Sequence, residues 1–351
     1  ICTFNISQYD YEHDEDSELI LQSATKGNNG GINITFVGDG YDAEDISEGR
    51  FLEDVREGMK YFFGVEPYKT YREYFNVYID FALSYDSGVC SNVNIWRTTK
   101  FNSTYGANDR RLAVDGDGVV SYVLNDVDGA MTEDNINESL IICILNSDVY
   151  EGITQMWSSG AAVAFVPHCR GDYPNDYRGV IQHEAGGHGF GKLADEYIYH
   201  PLHIVCDCEC CDHVEELMRC KSLGWYRNVT LDGKYSTIEW RHLIFHDNYS
   251  DIVDIYEGAY KHLYGVYRSE ANSCMNNNVP YFSSVSRQTI VERIKAYSGE
   301  EFSFDEWVAN DSRDYGEFTR SSVYDETPEV AIYNPTPIII MGSVLDNIKT
   351  E

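Results

Sequence analysis

The chain has 351 residues, 43% of them hydrophobic, and carries 26 basic against 58 acidic side chains, a formal net charge of −32. That length is ample for a buried core in one large domain or two ordinary ones. The acidic surplus repels phosphate backbones and anionic lipid, which argues against nucleic-acid binding, and no apolar run reaches the roughly 18 residues of a membrane span.

The first residues, ICTFNISQYDYEHDEDSELI, show no basic segment followed by an apolar stretch, so no signal peptide is read there. Cys2 is a candidate remnant of a lipid-anchored cysteine. Residues 1–30 are polar and acidic, close on KGNNGG, and read as a flexible lead-in. Ile32 to Val37 then alternate as a strand does, before Gly38 and Gly40 break the pattern. Ile46, Phe51, Val55, Met59, Phe62 and Phe63 recur at three- and four-residue intervals, which predicts an amphipathic helix capped by Asp45 or Ser47. FNVYIDFALSY is aromatic and β-branched and predicts a second strand, with LIICILNS and AAVAFVP as two more. The order strand, helix, strand, strand, strand predicts an α/β (α+β) fold. A twisted mixed sheet would be covered by the first helix, with a second, active-site helix beneath it.

That second helix falls on QHEAGGHGFG, residues 182–191. Two histidines and a glutamate in this order suggest a zinc site, because a helix can present two imidazoles to one ion while a carboxylate beside them serves as base. The ordinary spacing is H-E-x-x-H, whereas three residues separate Glu184 from His188. On a regular helix, His183 and His188 would diverge by roughly 140°. Two escapes are open. A wide π-type turn at Gly186 and Gly187 would bring both histidines to one side and leave Glu184 free as general base. Otherwise Glu184 and His188 are the ligands and His183 lies outside. The first is favoured because it keeps the carboxylate for chemistry. Gly191 then lets the chain leave the helix abruptly, so that Asp195 (or Glu196) returns as a third ligand.

Ten cysteines are present, five of them in CDCECCDHVEELMRC at 206–220. This stretch is either a disulfide-bearing loop of an exported protein or a second metal site. GDGYDAED and AVDGDGVV are acid- and glycine-rich candidates for structural calcium, although neither has the EF-hand ligand order. His168, His200, His203, His242, His246 and His262 have no spacing that compels a metal role. A further helix is predicted at 286–299, and the two prolines of VAIYNPTPIIIMGSV argue for an edge strand or extended tail.

HEAGGHGFGKLADEY resembles the zinc-binding sequence of the metzincin clan, and most closely that of the IgA metallopeptidase family, the igalysins. YRSEANSCMNNNVPYF looks like the methionine-containing turn of that clan, and GDGYDAEDISEG with EPYKTYREYFNVYIDFALSYDSG looks like the family's upstream part. The resemblance implies a metallopeptidase catalytic domain over 31–300, with an upper subdomain 31–191, a lower subdomain 192–300 and a C-terminal extension 301–351. It makes His183, His188 and Asp195 (or Glu196) zinc ligands, Glu184 the catalytic carboxylate, Gly191 the turn and Met275 the floor of the site. Two departures stand out: the H-E-x-x-x-H spacing, and Ala194 at the usual third-ligand position. Asn277 also replaces a tyrosine common after the methionine, so the resemblance gives Tyr281 no role.

The expected activity is hydrolysis of peptide bonds in secreted or surface glycoproteins, with immunoglobulin A one candidate. AAVAFVP is either the cleft edge that pairs with substrate or an ordinary buried strand. The expected location is extracytoplasmic, secreted or at the cell surface. The rival reading is a catalytically inactive protease fold that binds glycoprotein or glycan, against which the retained Glu184 speaks.

Overall fold

The strand read from Ile32 lies near the middle of a seven-stranded sheet in the computed structural model, which describes residues 18–90, 95–106, 112–126, 130–205, 212–314 and 337–348. Cys2 and the cysteines at 206, 208, 210 and 211 lie outside the described residues. The sheet's strands begin with β1 (Glu18–Gln22), β2 (Ile32–Asp39) and β3 (Phe75–Asp80). Between them run the helices α1 (Ala43–Ser47) and α2 (Arg50–Phe62), and after them the small strands β4 (Thr104–Tyr105) and β5 (Leu112–Ala113), which pair with each other. After α3 (Gly116–Ser121) come β6 (Leu140–Leu145), β7 (Ile153–Trp157) and β8 (Ala162–Pro167). The sheet order is β1-β3-β2-β6-β8-β7, closed by a late strand, β13 (Ile338–Ile340). β3, β2, β6 and β8 run parallel, while β1 and β7 are antiparallel to their neighbours.

Both faces of this sheet are covered, which explains why its central strands read as continuous apolar runs. Ile34, Phe36, Ile142, Ile144, Ala164 and Val166 pack into one core with Phe51, Val55 and Phe62 of α2. Val37, Ile141, Cys143, Leu145, Val163 and Phe165 face the opposite way, onto Val119 and Val120 of α3. AAVAFVP is therefore an interior strand, paired to β6 on one side and β7 on the other, and not the edge of a cleft.

Two expectations change. The first helix is two: Asp42, not Asp45 or Ser47, caps α1 by accepting from the Glu44 and Asp45 amides, and α2 starts after Gly49 at φ 82°. A left-handed residue cannot continue a helix, and glycine takes that conformation without a Cβ penalty. The lead-in is also not uniformly unstructured, because β1 pairs with β3 from Glu18↔Asp80 onward. Carboxylates of the two calcium candidates also make bonds within the fold. Asp39 accepts the Phe101 and Ser103 amides, Asp45 pairs with Arg50, and Asp115 caps α3 at the Gly118 amide.

Beyond the histidine segment the chain builds a second sheet from β9 (Ile198–His203), β10 (Val229–Thr230), β11 (Tyr256–Ala259) and β12 (Lys261–Arg268), with α5 (His213–Ser222) beside it. After the short helices α6 (Arg241–Ile244) and α7 (Cys274–Asn277), the helix predicted at 286–299 runs from Ser284 to Tyr297 as α8, and α9 (Phe304–Asn310) follows. Cys220, in α5, is a buried free thiol and not half of a disulfide. The described part of the extension belongs to the body: Trp307 joins the first core, Val344 the second, and β13 pairs in parallel with Gln155–Trp157 of β7.

Candidate metal centre

α4 (Tyr177–Ile181), capped by Asp176 at the Gly179 amide, leads without a break into a π-helix over Gln182–Phe190. The expected wide turn is thus nine residues long and not a single bulge. A π-helix bonds each amide to the fifth residue back, so positions 183 and 188 stand one turn apart. Gly191 N–H donates to the Gly186 carbonyl at 3.0 Å in this pattern, and the Tyr68 hydroxyl donates to the same oxygen at 2.6 Å. The two glycines make room for neighbours: a Cβ on Gly187 would lie 2.2 Å from Met275 Sδ, and one on Gly186 3.2 Å from the Tyr68 ring.

The imidazoles of His183 and His188 consequently meet, with ring centroids 4.7 Å apart. His183 Nδ1–H donates to the Cys274 carbonyl at 3.0 Å, and His188 Nδ1–H to the Leu193 carbonyl at 2.8 Å. A carbonyl can only accept, so these bonds fix the proton on Nδ1 and leave both Nε2 lone pairs facing inward. Both Nε2 atoms face one oxygen, Asp195 Oδ1, at 3.2 and 3.1 Å. All three side chains are buried, and Asp195 Oδ2 has no hydrogen-bond partner. Donor atoms about 2 Å from a tetrahedrally bound ion lie about 3.4 Å apart, close to the separations seen here. Two neutral imidazoles, one carboxylate and an orphaned buried oxygen fit a metal ion, and these three residues form a donor set able to hold one.

Burial alone would push the Asp195 carboxyl up, but the electropositive surroundings that His188 and His183 provide when protonated hold it well below the usual carboxylate range. Burial likewise opposes a charge on His183, yet Asp195 and Glu184 outweigh it and raise the imidazole above its ordinary value, so a cation at Nε2, whether proton or metal ion, is favoured there.

Glu196 is spoken for. Its Oε1 accepts from Asn228 Nδ2 at 2.9 Å and its Oε2 from the Ser273 hydroxyl at 2.6 Å, while burial pushes its carboxyl up to about 7. Asn228 also brackets Ala194, accepting its N–H and donating to its carbonyl at 2.8 Å each. The choice between Asp195 and Glu196 therefore falls to Asp195 as the group facing the histidines. Gly191 is not where the backbone turns left-handed; it sits at φ −66°, and Lys192 takes the positive φ of 51°. Glycine is needed at 191 because a Cβ would lie 2.8 Å from the Gly187 carbonyl.

Glu184 stands apart from the trio, on the side facing β7. Thr154 donates its hydroxyl to Glu184 Oε2 at 2.7 Å and lies 3.0 Å from its backbone carbonyl. A Cβ on Gly152 would be 2.8 Å from Glu184 Cγ, so the strand approach closes on this side chain. Burial raises the Glu184 carboxyl above the ordinary value despite the two histidines, which lower it. The arrangement with Glu184 as ligand and His183 outside is not the one formed.

A family model described as IgA Peptidase M64 matches residues 20–205, more than half of the chain. The chain belongs to that peptidase family. No curated protein matches it. In this M64 peptidase the matched span includes His183, Glu184, His188 and Asp195, whereas Met275 lies beyond it. The turn holding Met275 (α7, Cys274–Asn277) is capped by Ser273 at the Met275 amide, and the Met275 carbonyl accepts the Glu196 N–H at 2.8 Å. Tyr281 points away from the site, donating to Glu270 Oε2 at 2.7 Å.

Several supports of the centre escaped sequence reading. Thr154 sits on ITQMW, whose two central polar residues hid a buried strand. Asn228, Ser273 and the carbonyls of Cys274 and Leu193 act through contacts that no local spacing signals. A mutation tests the tight seat of the π-helix. Gly187→Ala forces Met275 out of place, an overpacking that costs about 1–3 kcal/mol. It is expected to lower the unfolding midpoint in a denaturant titration and to weaken metal retention; an unchanged midpoint would contradict the close contact.

Proposed function

We propose that this M64 peptidase is a zinc-dependent endopeptidase in which His183, His188 and Asp195 hold the ion and Glu184 is the catalytic carboxylate. The observation that carries the reading is the convergence of both Nε2 atoms on Asp195 Oδ1, with Glu184 one residue away but outside the donor set. Zinc bound there would supply an acidified water and polarise the scissile carbonyl. Glu184, held by Thr154, would take the proton of that water and return it to the leaving amine. Its raised affinity for protons suits this exchange better than an ordinary surface carboxylate would. Met275 would form the floor beneath Gly187, and the turn around it would orient His183 through the Cys274 carbonyl.

The substrate proposed is a secreted or surface glycoprotein, with immunoglobulin A supported by the family's description. The corresponding location is extracytoplasmic. The inactive binding-module reading gains nothing from the site, since a binding surface has no use for a positioned base beside three buried donors.

The test is digestion of casein and immunoglobulin A by zinc-loaded protein, with metal content measured on the same sample. Cleavage that is lost on chelation and restored by Zn²⁺ is expected. Protein that holds zinc but cuts neither substrate nor a random peptide library would favour the binding module.

A further inference from the structure

The chain segment that enters β7 runs along Glu184, the carboxylate proposed as base. Thr154 bonds to its side chain, and a Cβ on Gly152 would lie 2.8 Å from its Cγ. Tyr150 is the next residue of the same parity, and in extended chain residues two apart share a face. The Tyr150 hydroxyl accepts Asn278 Nδ2–H at 2.7 Å, which turns the phenol toward the turn that holds Met275. Tyr150 is half-buried, whereas His183, Glu184, His188 and Asp195 are buried, so it is the member of this group that reaches solvent.

Asn278 is tied to the centre from the other side. It closes α7 with a left-handed backbone, φ 53°, and its N–H donates to the Cys274 carbonyl at 3.0 Å. The same carbonyl receives His183 Nδ1–H. Asn278 is buried, yet its Oδ1 has no hydrogen-bond partner. The amide thus leaves an acceptor unpaired while giving its donor to the phenol, an arrangement that packing alone does not explain. That donation occupies a lone pair of the phenol oxygen and leaves the phenol its own proton to give. Burial pushes the Tyr150 phenol well above its ordinary value, so the proton stays in place near neutral pH.

We propose that Tyr150 is a further catalytic residue of the peptidase, its hydroxyl donating a hydrogen bond to the scissile carbonyl oxygen as that oxygen gains negative charge, with Asn278 as the positioning residue that holds it. The proposal rests on the peptidase reading above. No proton leaves Tyr150: the proton of water passes to Glu184 and on to the leaving amine, while the phenol only donates. Such a donor acts mainly in the transition state, because the charge it meets develops there.

Tyr150→Phe removes the hydroxyl and keeps the ring. With zinc content unchanged and KM little altered, kcat is expected to fall by about 10²- to 10³-fold, the effect of losing one such donor. A peptide whose scissile bond is replaced by a tetrahedral phosphinate is expected to lose affinity for this variant by a similar factor in a calorimetric titration. The uncut amide peptide is expected to bind Glu184→Gln and Tyr150→Phe/Glu184→Gln proteins alike. Asn278→Gly, which keeps the phenol and suits the left-handed backbone, is expected to show the same pattern at smaller size. If circular dichroism shows Tyr150→Phe to be misfolded, Asn278→Gly carries the test alone. The proposal is overturned if kcat and phosphinate affinity stay at the wild-type level, if the loss lies in KM alone, or if zinc is lost together with activity. Wild-type protein assayed alongside separates the two readings. Wild type that cuts, beside an unimpaired Tyr150→Phe, sinks only the role of Tyr150, whereas wild type that cuts nothing sinks the peptidase reading and this proposal with it.

Discussion

Glu184→Gln is expected to leave zinc bound at full occupancy while lowering the rate of peptide hydrolysis by about 10²- to 10⁴-fold, the usual worth of a positioned acid–base group. The amide keeps the shape of the carboxylate and can still accept the Thr154 hydroxyl bond through its oxygen. It cannot take the proton from water. Metal retention follows because the donor set of His183, His188 and Asp195 does not include Glu184. The pairing of the two readouts is what discriminates. A variant that lost zinc as well as activity would place Glu184 among the ligands, and one that retained both would remove it from the chemistry. KM is expected to change little, since the proton transfer belongs to the transition state.

The metal-facing residues were legible because their signal is local. Six residues from His183 to His188 carry a conflict between ligand spacing and helical geometry, and two glycines at the point of conflict disclose its resolution. The length of the π-helix was not legible, because its stability comes from outside. Tyr68, more than a hundred residues earlier, takes up the Gly186 carbonyl, and Met275 fills the space that Gly187 leaves. The choice between Asp195 and Glu196 was undecidable for the same reason: adjacent carboxylates look alike until Asn228 and Ser273 claim one of them. In the fold, β2 announced itself by alternation and the parallel strands β6 and β8 by apolar runs. β7 did not, since Thr154 and Gln155 interrupt it, and Thr154 is polar because it serves Glu184. His200 and His262 show the limit most plainly: neighbours through strand pairing have no spacing to read.

Asp311→Ala is expected to destabilise the protein by about 3–5 kcal/mol, although residue 311 lies outside the span over which the family resemblance was drawn. Arg287 of α8 is fully buried, and Asp311 is the carboxylate bonded to it, through Nε and Nη2 at 2.7 Å each, with buried Glu270 a more distant charge. The same guanidinium donates to the Phe282 carbonyl at 2.6 Å. Phe282 lies against the glycine face of the π-helix, so the ion pair is one step removed from the metal centre. Removing Asp311 strands a charge in the interior, whereas the double change Arg287→Met/Asp311→Leu removes both charges and is expected to recover most of the loss. Equilibrium denaturation of the two variants measures the difference. If Asp311→Ala unfolds within about 1 kcal/mol of the wild type, the guanidinium reaches water and the pair is peripheral. If the loss is as large as expected, the boundary near residue 300 cuts through the catalytic body, and a chain truncated there would lack the carboxylate that lets α8 hold Phe282 under His183 and His188.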